Sequence, residues 1–98
     1  MPLFCCVGYD GPEGLAKRPE ARPRHLAHAE QLDARFVGPL IDDAGTPRGS
    51  LFVFEAPDFE SARRIATSDP YLELGVFERI EVFETKQVFP AAQDAPEA

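Results

Sequence analysis

Two short segments set the problem this chain must solve. Leu3–Tyr9 (LFCCVGY) and Leu51–Phe54 (LFVF) are apolar at every alternating position. A strand turns successive side chains to opposite sides. Each segment therefore reads as an interior strand with neither face meant for water. Around them the patterns are weaker but ordered. A helix is predicted from Pro23, which suits a first helical position, to Arg35. Short strands are predicted over Phe36–Leu40 and Ser50–Glu55, joined by turn chemistry at Asp42–Pro47. A second helix, Phe59–Thr67, has Asp58 as its N-cap and stops before Pro70, which bars Asp69 from the helical region. The last strand is predicted over Glu78–Val88. Asp10–Ala21 holds Gly11, Pro12, Gly14 and Pro19 and reads as a loop, long enough to be functional.

The order is β-α-β-β-α-β, the split βαβ or ferredoxin-like arrangement. The fold class is α+β: a four-stranded antiparallel sheet with two helices on one face. A chain of 98 residues has room for one such domain, assigned to residues 1–89, with residues 90–98 (PAAQDAPEA) expected to be a disordered tail. Two helices cover only one face of the sheet, and the two-faced strands would leave the other face greasy. The simplest cover is the same sheet of a second copy, so a homodimer through the open sheet face is expected.

Net charge excludes several partners. The chain carries −7 at neutral pH, against the basic footprint that nucleic acid and anionic membranes require. No apolar run is long enough to span a bilayer. The apolar start lacks basic residues and a small-residue cleavage site, so it does not read as a secretion signal, and the cytoplasm is expected. Cys5 and Cys6 are adjacent and would point to opposite faces, which suits two buried free thiols better than a strained vicinal disulfide or a shared metal ion. No metal site or cofactor is expected.

Both histidines lie in RPRHLAH, residues 22–28. On a helical wheel Leu26, Ala29, Leu32 and Phe36 form one stripe, His25 falls inside it, and His28 lies at its edge. His25 is thus aimed at the sheet. That position suits either a packed core histidine or a proton-transfer group. Asp69, in the turn after the second helix, is the carboxylate that could fix the imidazole tautomer and leave the other nitrogen to move a proton. The basic cluster Lys17, Arg18, Arg22 and Arg24 is either a solvated loop or a mouth for a small anion. Backbone at Gly38 could line a pocket. None of the common nucleophile, zinc or phosphate-loop motifs occurs.

RPRHLAH, GPL (38–40), GSLFVFEA (49–56) and SDPYLELGVFERIEVFE (68–84) resemble the YciI-like, or YCII-related, proteins over about Leu3–Phe89. The resemblance implies a ferredoxin-like subunit of a dimeric α/β barrel, kinship with muconolactone isomerase-like proteins, and an active site on a His–Asp pair that maps to His25 and Asp69. Arg22 matches the family's arginine before the histidine. The family includes a dehydrochlorinase of a chlorinated hydroxyhydroquinone. A small cofactor-free enzyme of isomerase or lyase type is therefore expected, with His25 and Asp69 transferring a proton on a small ring or carbonyl compound. Arg22, Arg18, Gly38 and Ser50 would contact this small-molecule ligand. The alternatives are a non-catalytic metabolite-binding or accessory domain, and a partner that presents its acidic face to a larger enzyme. The Gly- and Pro-rich segment 10–21 and the Asp42–Asp43 hairpin depart from many members, so no substrate carries over.

Overall fold

A computed structural model describes residues 1–90 of the chain. The elements run β1 (Leu3–Asp10), α1 (Gly14–Leu32), β2 (Phe36–Ile41), β3 (Pro47–Glu55), α2 (Phe59–Thr67), α3 (Pro70–Glu73) and β4 (Phe77–Thr85). The strands form one sheet in the order β2-β3-β1-β4, with every neighbouring pair antiparallel. This is the ferredoxin-like α+β fold. The two apolar segments occupy the two central strands, β1 and β3, as their two-faced patterns require. Pro39 lies in β2, at one edge, where a proline's missing N–H need not break the ladder.

Phe4, Cys6, Phe52 and Phe54 point from the central strands into the core beneath the helices. α2 meets them with Ala62 and Ala66, small enough for close approach, while Phe59 sets its ring edge-on to Phe4 at 5.0 Å. Asp58 caps α2 by accepting the Ser61 N–H at 2.8 Å.

The first helix begins at Gly14 rather than Pro23, so the expected loop over residues 10–21 is mostly helix. Pro19 and Pro23 both lie inside it. An interior proline ordinarily costs about 3 kcal/mol, and tertiary contacts offset that here. Gly14 sits where a Cβ would come within 2.6 Å of the Val76 carbonyl oxygen, so only glycine lets the helix start against the bend that leads into β4. One turn on, Arg18 is tied to Asp10 at the end of β1. Both prolines are exposed, so their lost donors fall away from the core. The longer helix also shifts the expected stripe. Its buried residues are Gly14, Ala21 and His25, whereas Leu26 is exposed and Phe36 belongs to β2.

Three smaller differences follow the same logic. Asp69 begins an additional single-turn helix, α3, by accepting the Tyr71 N–H at 2.8 Å. β4 ends at Thr85 rather than Val88. Cys6 is fully buried but Cys5 only partly so, and both are free thiols. Apart from Pro90, the expected tail lies outside the described residues. No described helix is long and apolar enough to cross a membrane.

The face of the sheet opposite the helices carries a row across all four strands, Phe36–Val53–Cys5–Phe83, set by the register of the three ladders. Phe36 and Phe83 are 52% and 51% exposed in the single chain.

Candidate active site

The site grows from the buried side of α1. Residues three and four apart share a helix face, so Arg18, Ala21, His25 and His28 follow one another along it. Against this face stand β3 and the turn that leads into α3. His25 is 4% exposed and Asp69 1%. The His25 Nδ1 lies 2.8 Å from Asp69 Oδ1 and 3.0 Å from Oδ2. Asp69 Oδ1 also accepts the Tyr71 backbone N–H. The cap of α3 therefore aims the carboxylate, and the carboxylate fixes the ring. With Nδ1 donating to Asp69, Nε2 is the nitrogen left for chemistry.

Two aromatic rings pack against the imidazole. The Tyr71 ring lies flat on it, with centroids 3.8 Å apart and planes 3° from parallel. Phe52 meets it at a steep angle, with centroids 6.2 Å apart. Tyr71 is held in turn by Phe77, edge-on at 5.4 Å. Phe77 finds its place because Gly8 has no side chain: a Cβ there would lie 2.4 Å from the Phe77 ring. His28 also approaches the pair, with Nδ1 3.9 Å from Asp69 Oδ2, too far for a hydrogen bond. That nitrogen is buried without a partner.

Beside the pair opens a cleft of about 440 Å³ between α1 and the β2–β3 side of the sheet. His25, Tyr71, Arg18, Arg22, Gly38 and Ser50 all border it, as do apolar side chains such as Leu15 and Val37. Arg18 is fully engaged. It grips Asp10 through two hydrogen bonds of 2.7 and 2.8 Å and donates to the Gly49 carbonyl at 2.9 Å, with the Ser50 hydroxyl at 3.5 Å. The bond to Asp10 pushes the guanidinium pKa further up, against the pull of burial. Arg22 is exposed at the rim, and no carboxylate among the described residues lies within ion-pair distance of it. The cleft thus offers a fixed cation inside and a free one at its mouth, in a chain that is otherwise acidic.

All six residues singled out from the sequence border the cleft or, for Asp69, orient a residue that does. Two others escaped notice: Asp10, which holds Arg18, and Tyr71, which stacks on His25. Tyr71 stands two positions after Asp69 in the DPY run, and that adjacency was the available signal. Asp10 sits at the slip in the β1–β4 register between Tyr9 and Asp10, which local sequence does not announce. Among the described residues, no group of three or more His, Cys, Asp or Glu side chains is placed to hold a metal ion.

Comparison with known proteins gives a consistent picture. The YCII-related domain family matches residues 2–86. Protein YciI of Escherichia coli O6:H1 is 33% identical over 97 residues, covering 89% of this chain and 99% of that protein. An uncharacterized protein of Haemophilus influenzae is 34% identical over 96 residues, covering 88% and 98%. Among solved structures, 5-chloro-2-hydroxyhydroquinone dehydrochlorinase (TftG) of Burkholderia phenoliruptrix AC1100, in complex with 2,5-dihydroxybenzoquinone, superposes with a TM-score of 0.75 at 26% identity. That match covers 86% of this chain and 93% of TftG.

Proposed function

Because this chain belongs to the YCII-related domain family, we propose that its cleft transfers a proton on a small, oxygen-bearing ring or carbonyl compound. His25 is the general base and acid, and Asp69 orients it. The observation that carries this reading is the pair itself. An imidazole tied at Nδ1 to a buried carboxylate, at the wall of a cleft with a free arginine at its mouth, is the geometry of general acid–base catalysis. His25 Nε2 takes a proton from the substrate. The electron pair then either picks up a proton at another atom, which is isomerisation, or expels a leaving group such as chloride, which is elimination. Arg22 and the Arg18 guanidinium face the anionic oxygen. The likeness to TftG, whose structure holds 2,5-dihydroxybenzoquinone, supports a flat, oxygenated ring as the ligand class.

The test is proton exchange. Wild type is incubated with hydroxylated quinones, lactones and keto acids in deuterated water, and wash-in is followed by NMR. General acid–base groups contribute about 10²–10⁴-fold. His25→Gln is expected to lose at least 10²-fold in exchange on any compound the wild type turns over. An undiminished rate would remove His25 from the chemistry.

One observation favours a second reading, a binding domain without turnover. His25–Asp69 and the Arg24–Glu73 pair at 3.5 Å both bridge α1 to the segment from Asp69 through α3, so the histidine also serves as a bolt. A large loss of melting temperature in His25→Gln, with ligand binding unchanged, would favour that reading.

The open sheet face supports a homodimer. Its Phe36–Val53–Cys5–Phe83 row is a continuous apolar strip, and a second copy presents the same strip to cover it.

A further inference from the structure

Among the described residues, His28 Nδ1 is the one buried side-chain polar atom without a hydrogen-bond partner. A buried polar atom left unpaired is costly, so what it faces matters. It faces Asp69 Oδ2 at 3.9 Å, beyond hydrogen-bond reach but within ion-pair distance once the imidazole is charged. The two oxygens of Asp69 are unequally used. Oδ1 accepts from His25 and from the Tyr71 N–H, each at 2.8 Å. Oδ2 has only the longer contact with His25, at 3.0 Å. A carboxylate oxygen has room for two donors, and His28 stands beside the oxygen with a place left. Helical spacing brings it there, since residues 25 and 28 share a face of α1. The two imidazoles differ in access: the His28 side chain is 17% exposed and that of His25 only 5%.

The other charges around His28 have partners of their own. On α1, Arg24 reaches Glu73 of α3 at 3.5 Å. Tyr71, the other titratable group of α3, lies on His25. β3 carries Arg48 and Glu55 near its ends, paired with Asp42 at 3.0 Å and Arg35 at 3.2 Å. Asp69 is therefore the carboxylate that answers a charge on His28.

We propose that His28 is a positioning residue that regulates His25 through Asp69: the two imidazoles share one carboxylate, and a proton on His28 weakens His25 as a base. Uncharged, His28 leaves Oδ2 to His25. Charged, it closes on Oδ2, draws off part of the carboxylate's charge and opposes a second positive charge on His25. The histidine nearer to solvent thus passes the acidity of its surroundings to the one beside the cleft. The proposal rests on the proton-transfer reading and adds a regulation to that same site.

The experiment titrates both imidazoles in the intact chain. It has two histidines, so ¹⁵N-labelled protein gives two sets of ring signals, followed from about pH 5 to 8. Interacting groups titrate as a pair. In wild type the His25 curve should bend where His28 takes up its proton, and the Asp69 carboxyl carbon should move in both steps. In His28→Gln, which removes the charge and keeps a polar amide, His25 should follow a one-proton curve. Identical His25 curves in the two proteins would overturn the proposal. So would a wild-type Asp69 signal blind to the His28 step, a readout that needs no variant. Deuterium exchange on hydroxylated quinones, lactones and keto acids reads the consequence. Towards the acid end, wild type is expected to lose about tenfold more rate than His28→Gln. An equal loss would overturn the regulation, because a merely structural histidine changes melting temperature and leaves this slope alone. If wild type exchanges none of these compounds, the proton-transfer reading falls and the regulation with it, while coupled curves still establish the shared carboxylate.

Discussion

The two cysteines show how neighbouring residues of one type receive different chemistry from the strand beneath them. Cys6 points into the core, and burial, with a smaller push from Cys5, raises its thiol pKa to about 12. Cys5, on the other face, is raised less, by partial burial alone. The folded chain thus holds the Cys6 proton more tightly than the unfolded chain, whose thiol titrates near 9.0. Stability from this group is complete below pH 9 and is lost as pH rises from there towards 12, at up to about 1.4 kcal/mol per pH unit. The prediction is a shrinking gap. Cys6→Ala is less stable than wild type at pH 7, and urea denaturation at pH 8, 9.5 and 10.5 should show the difference narrowing. A constant gap would mean that the Cys6 thiol is not held back. At neutral pH, Cys5 should react with a maleimide well before Cys6, as mass spectrometry of peptides can read.

At the level of elements, the site is braced by a chain of contacts that starts at a glycine. Gly8 in β1 makes room for Phe77 of β4, Phe77 meets Tyr71 of α3 edge-on, and Tyr71 stacks on His25 of α1. Gly8→Ala would force the Phe77 ring aside. Overpacking of this kind costs about 1–3 kcal/mol, which should lower the urea midpoint with an unchanged slope. An unmoved midpoint would mean that Phe77 has space to swing. What could be read in advance also divides by element. α2 was legible to the residue because its signals are local: Asp58 before it, the Asp69–Pro70 pair after it, and alanines facing in. The first half of α1 was not, because glycine and proline speak for a loop while the forces holding the helix come from Asp10, at the end of β1, and Val76, in the bend before β4. His25 could be placed from helical spacing, since burial of a helix face is periodic. The stack with Tyr71 could not, because no local pattern sets two rings from distant elements parallel.

For the molecule as a whole, one sheet face is buried under helices and the other carries an apolar strip bounded by polar groups. On that face Tyr9 donates to Glu81 at 2.8 Å, and Arg79 covers the Tyr9 ring at 4.1 Å. Dimerisation through the strip has a direct test. Val53→Lys sits at its middle, between Phe36 and Cys5, and puts a charge where two copies would meet. Sedimentation at micromolar concentration should give a dimer for wild type and a monomer for the variant, with the helix-covered core intact by circular dichroism. A monomeric wild type would leave the strip needing another explanation.

The position of Pro39 then limits how far such association can go. Fibres and tangles of sheet proteins grow when a bare border strand recruits a newcomer rung by rung. β2 is such a border, and at Pro39 it has no hydrogen to offer. Recruitment through β2 is blocked at that rung, so a newcomer strand in a crowded solution has only the opposite border, β4, to lengthen.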